Sequence, residues 1–326
     1  MPFRRYIFQI SARNASLETG YLLMLPKALF WTARCPSLTL HSLMNRRIAF
    51  LLPVAGLAAS LLFVKAADEP VKPLRVLLVT GGCCHDYEKQ RLILAEGLGA
   101  RANIEVEFAH NPDKTTKATF ENYKNPDWAK GFDVVIHDEC SADVTDKTYV
   151  GNILNAHKNG TPAVNLHCAM HSYRWGNFKE PVVAGADNAG WYEMLGMQST
   201  GHGPQEPIAL NFVDAEHPIT KGMVNWTTIK EELYNNVQVL TAHPLVKGKQ
   251  AFKDKKTGEA KEAETVVAWI NEYGEKKTRI FSTTLGHNND TVGDARYLDL
   301  VTRGVLWAAG KITPEGQPVA GFGPKK

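Results

Sequence analysis

From residue 74 onward, short unbroken apolar runs alternate with stretches whose apolar residues recur every three or four positions. Leu74-Arg75-Val76-Leu77-Leu78-Val79 reads as a buried strand that stops at Thr80-Gly81-Gly82. A helix is expected from Asp86, an N-cap residue type, running through Leu92, Leu94 and Leu98. Residues 104–109 and 133–137 read as the next strands and 146–158 as the next helix. Asn159-Gly160-Thr161 then turns the chain into a fourth strand, 162–166. This rhythm predicts an α/β fold with a mainly parallel, doubly wound sheet and helices on both faces.

The second half is less regular. Strands are expected at 208–213, 237–240, 265–270 and 279–284, some as an antiparallel extension of the sheet. Residues 250–264 are charged, with Phe252 the one bulky apolar side chain, and read as an exposed hairpin or loop. A closing helix over 295–309 carries Leu298, Val301, Val305 and Leu306 on one side. The Gly-, Pro- and Lys-rich tail, 313–326, is expected to be loose. No repeat or internal boundary divides 70–312, which reads as one domain.

Ahead of that domain, Met44-Asn45-Arg46-Arg47 precedes an apolar run from Ile48 to Val64 and then Lys65-Ala66-Ala67-Asp68. A basic start, an apolar centre and small residues at the end read as a secretory signal peptide over 44–67. The run is short for a membrane span and contains Pro53 and Gly56, so an uncleaved anchor is the alternative. Residues 1–43 read as an upstream leader before a start at Met44. The expected location is periplasmic or extracellular.

This division changes the charge. The whole chain of 326 residues has 37 Lys and Arg against 34 Asp and Glu. Residues 1–66 hold eight of the basic side chains and one acid, which leaves 29 basic and 33 acidic, a net of −4. No basic patch interleaved with aromatics survives, so nucleic acid is not an expected partner. Four cysteines follow residue 66, Cys83, Cys84, Cys140 and Cys168, at spacings that match no zinc knuckle or disulfide framework.

The richest chemistry follows the fourth strand, in Leu166-His167-Cys168-Ala169-Met170-His171-Ser172-Tyr173-Arg174. If the chain turns helical there, His167 and His171 fall at i and i+4 on one face. Ligand sites in open α/β sheets lie at the carboxyl ends of the strands, and His85, His137, His167, His171 and His287 all follow such ends. His202, in Gly201-His202-Gly203-Pro204, is expected in a loop over the same rim. Imidazole serves as metal ligand and as general base near neutral pH. In Glu231-Glu232-Leu233-Tyr234, a strand would put Glu232 and Tyr234 on one face, a carboxylate and a phenol suited to proton transfer. Cys168 at a strand-to-helix turn has the placement of a nucleophile elbow, but the glycines that usually permit so sharp a turn are missing. A packed or disulfide-bonded cysteine is the competing reading.

Taken in order, these segments resemble the ThuA-like (trehalose utilisation) family over residues 74–312. The resemblance also rests on His217-Pro218-Ile219-Thr220-Lys221-Gly222, Thr284-Leu285-Gly286-His287 and Arg303-Gly304-Val305-Leu306-Trp307-Ala308. It implies the flavodoxin-like fold of class I glutamine amidotransferases and a role in carbohydrate catabolism. His85, His167, His287 and Glu232 match the family motifs best, while His171 and His202 look like features of a subgroup. Family members commonly have Ser at the position of Cys168, which weakens an amidotransferase-style nucleophile.

The leading expectation is a metal-assisted hydrolase or lyase acting on oxidised (3-keto) glycosides or related sugars. A divalent ion, zinc by preference, would be held by some of His85, His167, His171 and His287. Glu232, His171 and Tyr234 are the candidate catalytic groups. His202, Arg174 and Trp175 are candidate substrate contacts, and in a sugar-binding reading Trp175, Trp191, Tyr192 and Trp226 are the candidate surfaces for stacking on a sugar ring. Two alternatives stand beside it: a non-catalytic sugar-binding protein, and a hydrolase using Cys168 as nucleophile.

Overall fold

The computed structural model describes residues 71–325. The signal segment and the leader before it lie outside the described residues. Among the described residues, no helix is long and apolar enough to cross a membrane.

In chain order the elements are β1 (Leu74–Gly82), α1 (Tyr87–Arg101), β2 (Ile104–Asn111), β3 (Val134–Cys140), α2 (Lys147–Lys158), β4 (Ala163–Leu166), α3 (Gly190–Leu195), β5 (Met197–Phe212), β6 (Trp226–Val239), β7 (His243–Lys253), β8 (Ala260–Tyr273), β9 (Thr278–Thr283), α4 (Asn289–Val292) and α5 (Ala295–Ala308). The three long helices each start on an aspartate whose carboxylate accepts from a first-turn N–H: Asp86, Asp146 and Asp294. The expected helix after β4 is instead a short 3-10 turn, His167–His171.

The strands form one nine-stranded sheet in the order β2-β1-β3-β4-β9-β8-β7-β5-β6. Pairing is parallel from β2 through β9 and antiparallel from β9 to β6. The antiparallel part is therefore far larger than the extension the sequence predicts. Alternate residues of β1 feed separate core clusters, because successive strand side chains point to opposite faces. Leu74, Val76 and Leu78 join the apolar residues of α1 and α5, whereas Leu77 and Val79 join those of α2 and α3.

Two expectations fail for identifiable reasons. The 313–326 tail is tied down: Asn103 N–H donates to the Phe322 carbonyl at 3.0 Å and the Asn103 side-chain amide donates to the Gly321 carbonyl at 3.1 Å. His202 lies on β5, not in a loop, where it pairs with Tyr234 of β6. The Gly and Pro residues that suggest a loop there coincide with shifts of register along β5.

Candidate active site

β1, β3, β4 and β9 run parallel, so their carboxyl ends share one edge of the sheet. β1 delivers Cys83, Cys84 and His85 to that edge, β3 ends there on Cys140, β4 delivers His167, and the turn after β9 delivers His287. β6 supplies Glu232.

At the end of β4 the chain bends sharply at His167, whose φ of 41° is left-handed. Holding a non-glycine residue there costs on the order of 1–3 kcal/mol, and such strain gathers at functional sites. The bend makes His167 the apex of the elbow. Cys168 falls one residue later, buried, with its Sγ 2.7 Å from that of Cys140. Its hydrogen bond to Cys140 and its burial both push the thiol well above its ordinary range, the reverse of an activated thiolate. The expected presentation of Cys168 at the elbow is thus not what this turn produces.

His85, His167 and His287 each offer one ring nitrogen within 4.8 Å of the others. Backbone carbonyls set two of the tautomers. His167 Nδ1–H donates to the Thr284 carbonyl at 2.6 Å and His85 Nδ1–H to the His287 carbonyl at 3.3 Å. Each proton on Nδ1 leaves a lone pair on Nε2. His287 meets the Gln205 side-chain amide through Nε2, at 2.8 Å. Nε2 of His167 and Nδ1 of His287 are buried and have no hydrogen-bond partner. Buried polar nitrogens without partners are rare and call for an occupant. Burial, then the charges of His167 and His287, pull the His85 imidazole down to about 3, so it stays neutral and able to ligate.

Glu232 faces this centre. Its Oε2 lies 3.5 Å from His167 Nε2 and 3.3 Å from His287 Nδ1, and its Oε1 lies 3.5 Å from His202 Nδ1. Burial pushes its carboxyl up, but the adjacent imidazoles of His167 and His287 carry it well below the usual carboxylate range. The Glu232 carboxylate in turn raises His287. The loop holding His287 is fixed by Glu231, a fully buried carboxylate that accepts the backbone N–H of His287 at 3.2 Å and of Asn288 at 3.3 Å. Gly286 just before it has φ 119°, and a Cβ there would sit 2.8 Å from the Tyr297 hydroxyl. Sequence reasoning assigned no role to Glu231, Gln205 or Gly286, since only the tertiary pairing brings them to His287.

Two further candidates adjoin the centre without entering it. His171 hydrogen-bonds Ser199 Oγ at 2.8 Å and stacks on Tyr234, ring centroids 4.3 Å apart and planes nearly parallel. It lies outside the three-nitrogen cluster because a 3-10 turn advances about 120° per residue and carries i+4 off the face of i. Tyr234 is buried, with its ring 5.0 Å from that of His167. Arg174 and Trp175 are engaged elsewhere: the Arg174 guanidinium lies over Phe178, and Trp175 Nε1 donates to Asp187. Trp191 and Tyr192 are core residues, and Trp226 lies beneath Arg296, so none of the three offers a free stacking face. His137 belongs to a separate buried network with His157 and Glu139.

A cavity of about 700 Å³ opens at this edge, lined by His85 and His287 together with Cys84, Asp86, Asn111 and Asn288. His167 and Glu232 are not part of its wall; they lie behind the two half-buried imidazoles. A reactant entering by this route meets His85 and His287 first.

No curated protein matches the chain. Among solved structures it is similar to a ThuA-like protein from Parabacteroides merdae, with 21% identity, a TM-score of 0.52, and coverage of 78% of this chain and 98% of that one. A ThuA-like protein from Bacteroides uniformis matches with 15% identity, a TM-score of 0.50 and coverage of 74% and 95%. Identities this low speak for the fold alone. The family model for ThuA, trehalose utilisation, matches residues 75–308. That span runs from β1 to the end of α5 and takes in every residue of the three-histidine centre, so the chain belongs to the ThuA family.

Proposed function

We propose that this protein is a metal-assisted enzyme that cleaves oxidised glycosides, with a 3-keto sugar as substrate class. The observation that carries this reading is the convergence of His85, His167 and His287 with two buried ring nitrogens lacking partners. Imidazole ligands suit zinc, and backbone carbonyls already take the Nδ1–H of His85 and of His167, as ligating histidines require. Bound there, such an ion would supply stabilisation of a developing oxygen anion.

The remaining work falls to the chain's own side chains. The imidazoles of His167 and His287 hold the Glu232 carboxyl below the usual carboxylate range, so it is ionised and free to accept a proton. Glu232 takes the proton from the carbon between the ketone and the anomeric centre. The electrons of that C–H bond become a C=C bond as the glycosidic C–O bond breaks. Tyr234, whose phenol burial keeps protonated, gives its proton to the departing oxygen. His171 positions Tyr234 through the stacked contact. His202, beside Glu232 and half exposed, is placed to meet a sugar hydroxyl. The sugar context rests on the family's trehalose-utilisation description. Export by the 44–67 segment is part of the same proposal, and an oxidising compartment accords with the disulfide between Cys83 and Cys84.

Elemental analysis of the purified chain beside His167→Ala, with turnover of a 3-keto glycoside measured on both, tests the reading. Near-stoichiometric zinc and turnover in the wild type, both lost in the variant, are expected. Metal content and turnover unchanged in His167→Ala would sink it.

A further inference from the structure

Below the three imidazoles lie four sulfurs that the proposed reaction does not use. Strand register brings them together. Gly82 at the end of β1 pairs with Cys140 at the end of β3, and a Cβ on Gly82 would come within 2.2 Å of the Cys140 carbonyl oxygen. That close approach sets Cys83 Sγ 3.3 Å from Cys140 Sγ. The elbow at His167 turns Cys168 to the same place, its Sγ 2.7 Å from Cys140. Cys83 is joined to its neighbour Cys84, with Cys84 in the left-handed region at φ 82°. Cys140 and Cys168 are free thiols.

The four sulfurs are graded in access. Cys84 is exposed and lines the cavity, Cys83 is half-buried, and Cys140 and Cys168 are buried at 3% and 8% exposure. Cys140 touches both the disulfide and the second thiol. Thiol–disulfide exchange proceeds by attack of one sulfur on a bonded pair, and contact and access decide which sulfurs take part.

We propose that Cys84, Cys83, Cys140 and Cys168 form a thiol–disulfide relay that carries two electrons from the buried pair to a small disulfide in the cavity. Cys140 attacks Cys83 Sγ; the Cys83–Cys140 bond forms, the Cys83–Cys84 bond breaks, and Cys84 leaves as a thiol with the proton Cys140 gave up. Cys168 then attacks Cys140 Sγ, forming the Cys140–Cys168 disulfide and releasing Cys83 as a thiol with the proton from Cys168. The exposed pair is now the dithiol. Cys84 attacks an external disulfide, forms a mixed disulfide and releases one external thiol. Cys83 attacks Cys84 in that mixed disulfide, restores the Cys83–Cys84 bond and releases the second. Over the cycle, the thiols of Cys140 and Cys168 are oxidised to a disulfide and one external disulfide is reduced to two thiols.

The test uses the whole chain and oxidised glutathione. Free thiols are blocked under denaturing conditions at successive times, and disulfide-linked peptides are mapped by mass spectrometry. The wild type is expected to start with Cys140 and Cys168 free and to acquire the Cys140–Cys168 linkage, with Cys83–Cys140 trapped on the way. In Cys83→Ser/Cys84→Ser the buried pair has lost its route to solvent, and its oxidation should slow by about tenfold or more. Absence of the Cys140–Cys168 linkage in the wild type would overturn the relay. So would equally fast oxidation of the buried pair in the double variant. Neither readout involves bound metal or sugar turnover, so the relay and the proposed glycoside chemistry stand or fall separately.

Discussion

His157 sits on α2 with no exposure, and its surroundings dictate its proton. Its Nδ1 lies 2.7 Å from the Thr161 carbonyl, an acceptor only, so Nδ1 carries the hydrogen. Its Nε2 lies 2.9 Å from His137 Nε2 and must accept from it. Protonating His157 would place two N–H groups face to face in the core. Burial, then the charge of His137, pull its imidazole down to about 3. The unfolded chain takes up that proton near the ordinary 6.5, so it binds more protons than the folded chain below that pH. Stability therefore falls as pH drops from 7 and goes on falling to about pH 3. From pH 7 to pH 5 the loss from this one group is about 2 kcal/mol. Other buried histidines, His85 and His171, push in the same direction, so the wild-type slope alone does not isolate it. His157→Gln does, because its amide oxygen can still accept from His137 but cannot titrate. Urea unfolding followed by tryptophan fluorescence at both pH values gives the two differences. The variant should be less stable at pH 7, by about 1–3 kcal/mol for the bond lost to Thr161, yet its drop from pH 7 to pH 5 should be smaller than the wild type's by about 2 kcal/mol. Equal drops in the two proteins would refute the argument.

Glu231→Gln removes the charge that fixes the His287 loop, so zinc affinity measured against a competing chelator should weaken by about 10–100-fold; unchanged affinity would mean the loop holds its shape without that carboxylate. Gly304→Ala on α5 would put a Cβ 2.3 Å from the buried Phe281 ring on β9, and an overpacking cost of about 1–3 kcal/mol should lower Tm by several degrees. Trp269→Phe removes the buried donor to the Leu195 carbonyl, a 2.7 Å bond, and should cost about 1–3 kcal/mol in denaturant unfolding.

The parallel half of the sheet is legible in the sequence because its inner strands, β1, β3, β4 and β9, are almost wholly buried and read as continuous apolar runs. β3 is buried at every position, and β4 likewise. The antiparallel half is not. Residues 197–207 of β5 include Thr200-Gly201-His202-Gly203-Pro204, which has loop composition, and only pairing with β6 makes it a strand. β8 begins with a charged, exposed stretch that packs against nothing apolar and leaves no periodic signal. At the site, the sequence showed that histidines gather after strand ends, since that follows once the strands are placed. It did not show which of them meet. The sequence places His137 and His171 at strand ends with His167, but His137 lies within β3 and joins a buried network, and His171 is turned away by the 3-10 geometry. The strain at His167 was also hidden, because a left-handed turn without glycine leaves no compositional mark.

The elbow links these observations. A sharp turn after a central strand lifts one side chain over the sheet edge, and on this scaffold its chemistry depends on which residue occupies the apex. Here the apex is His167, and the Thr284 carbonyl holds its proton on Nδ1, so what the turn presents is an Nε2 lone pair facing Glu232 and His287. The next residue, Cys168, is rotated to the opposite side and meets Cys140. One bend therefore separates an imidazole–carboxylate centre from a sulfur cluster. His85 borders both, with its ring nitrogen among the three of the centre and its Nε2 3.3 Å from Cys168. A single-residue shift of the elbow would put Cys168 at the apex, Ala169 in the place where Cys168 meets Cys140, and His167 back at the end of β4, removing a nitrogen from the centre and a thiol from the cluster at once. The strain at His167 is thus the local cost of keeping two chemistries apart on one sheet edge.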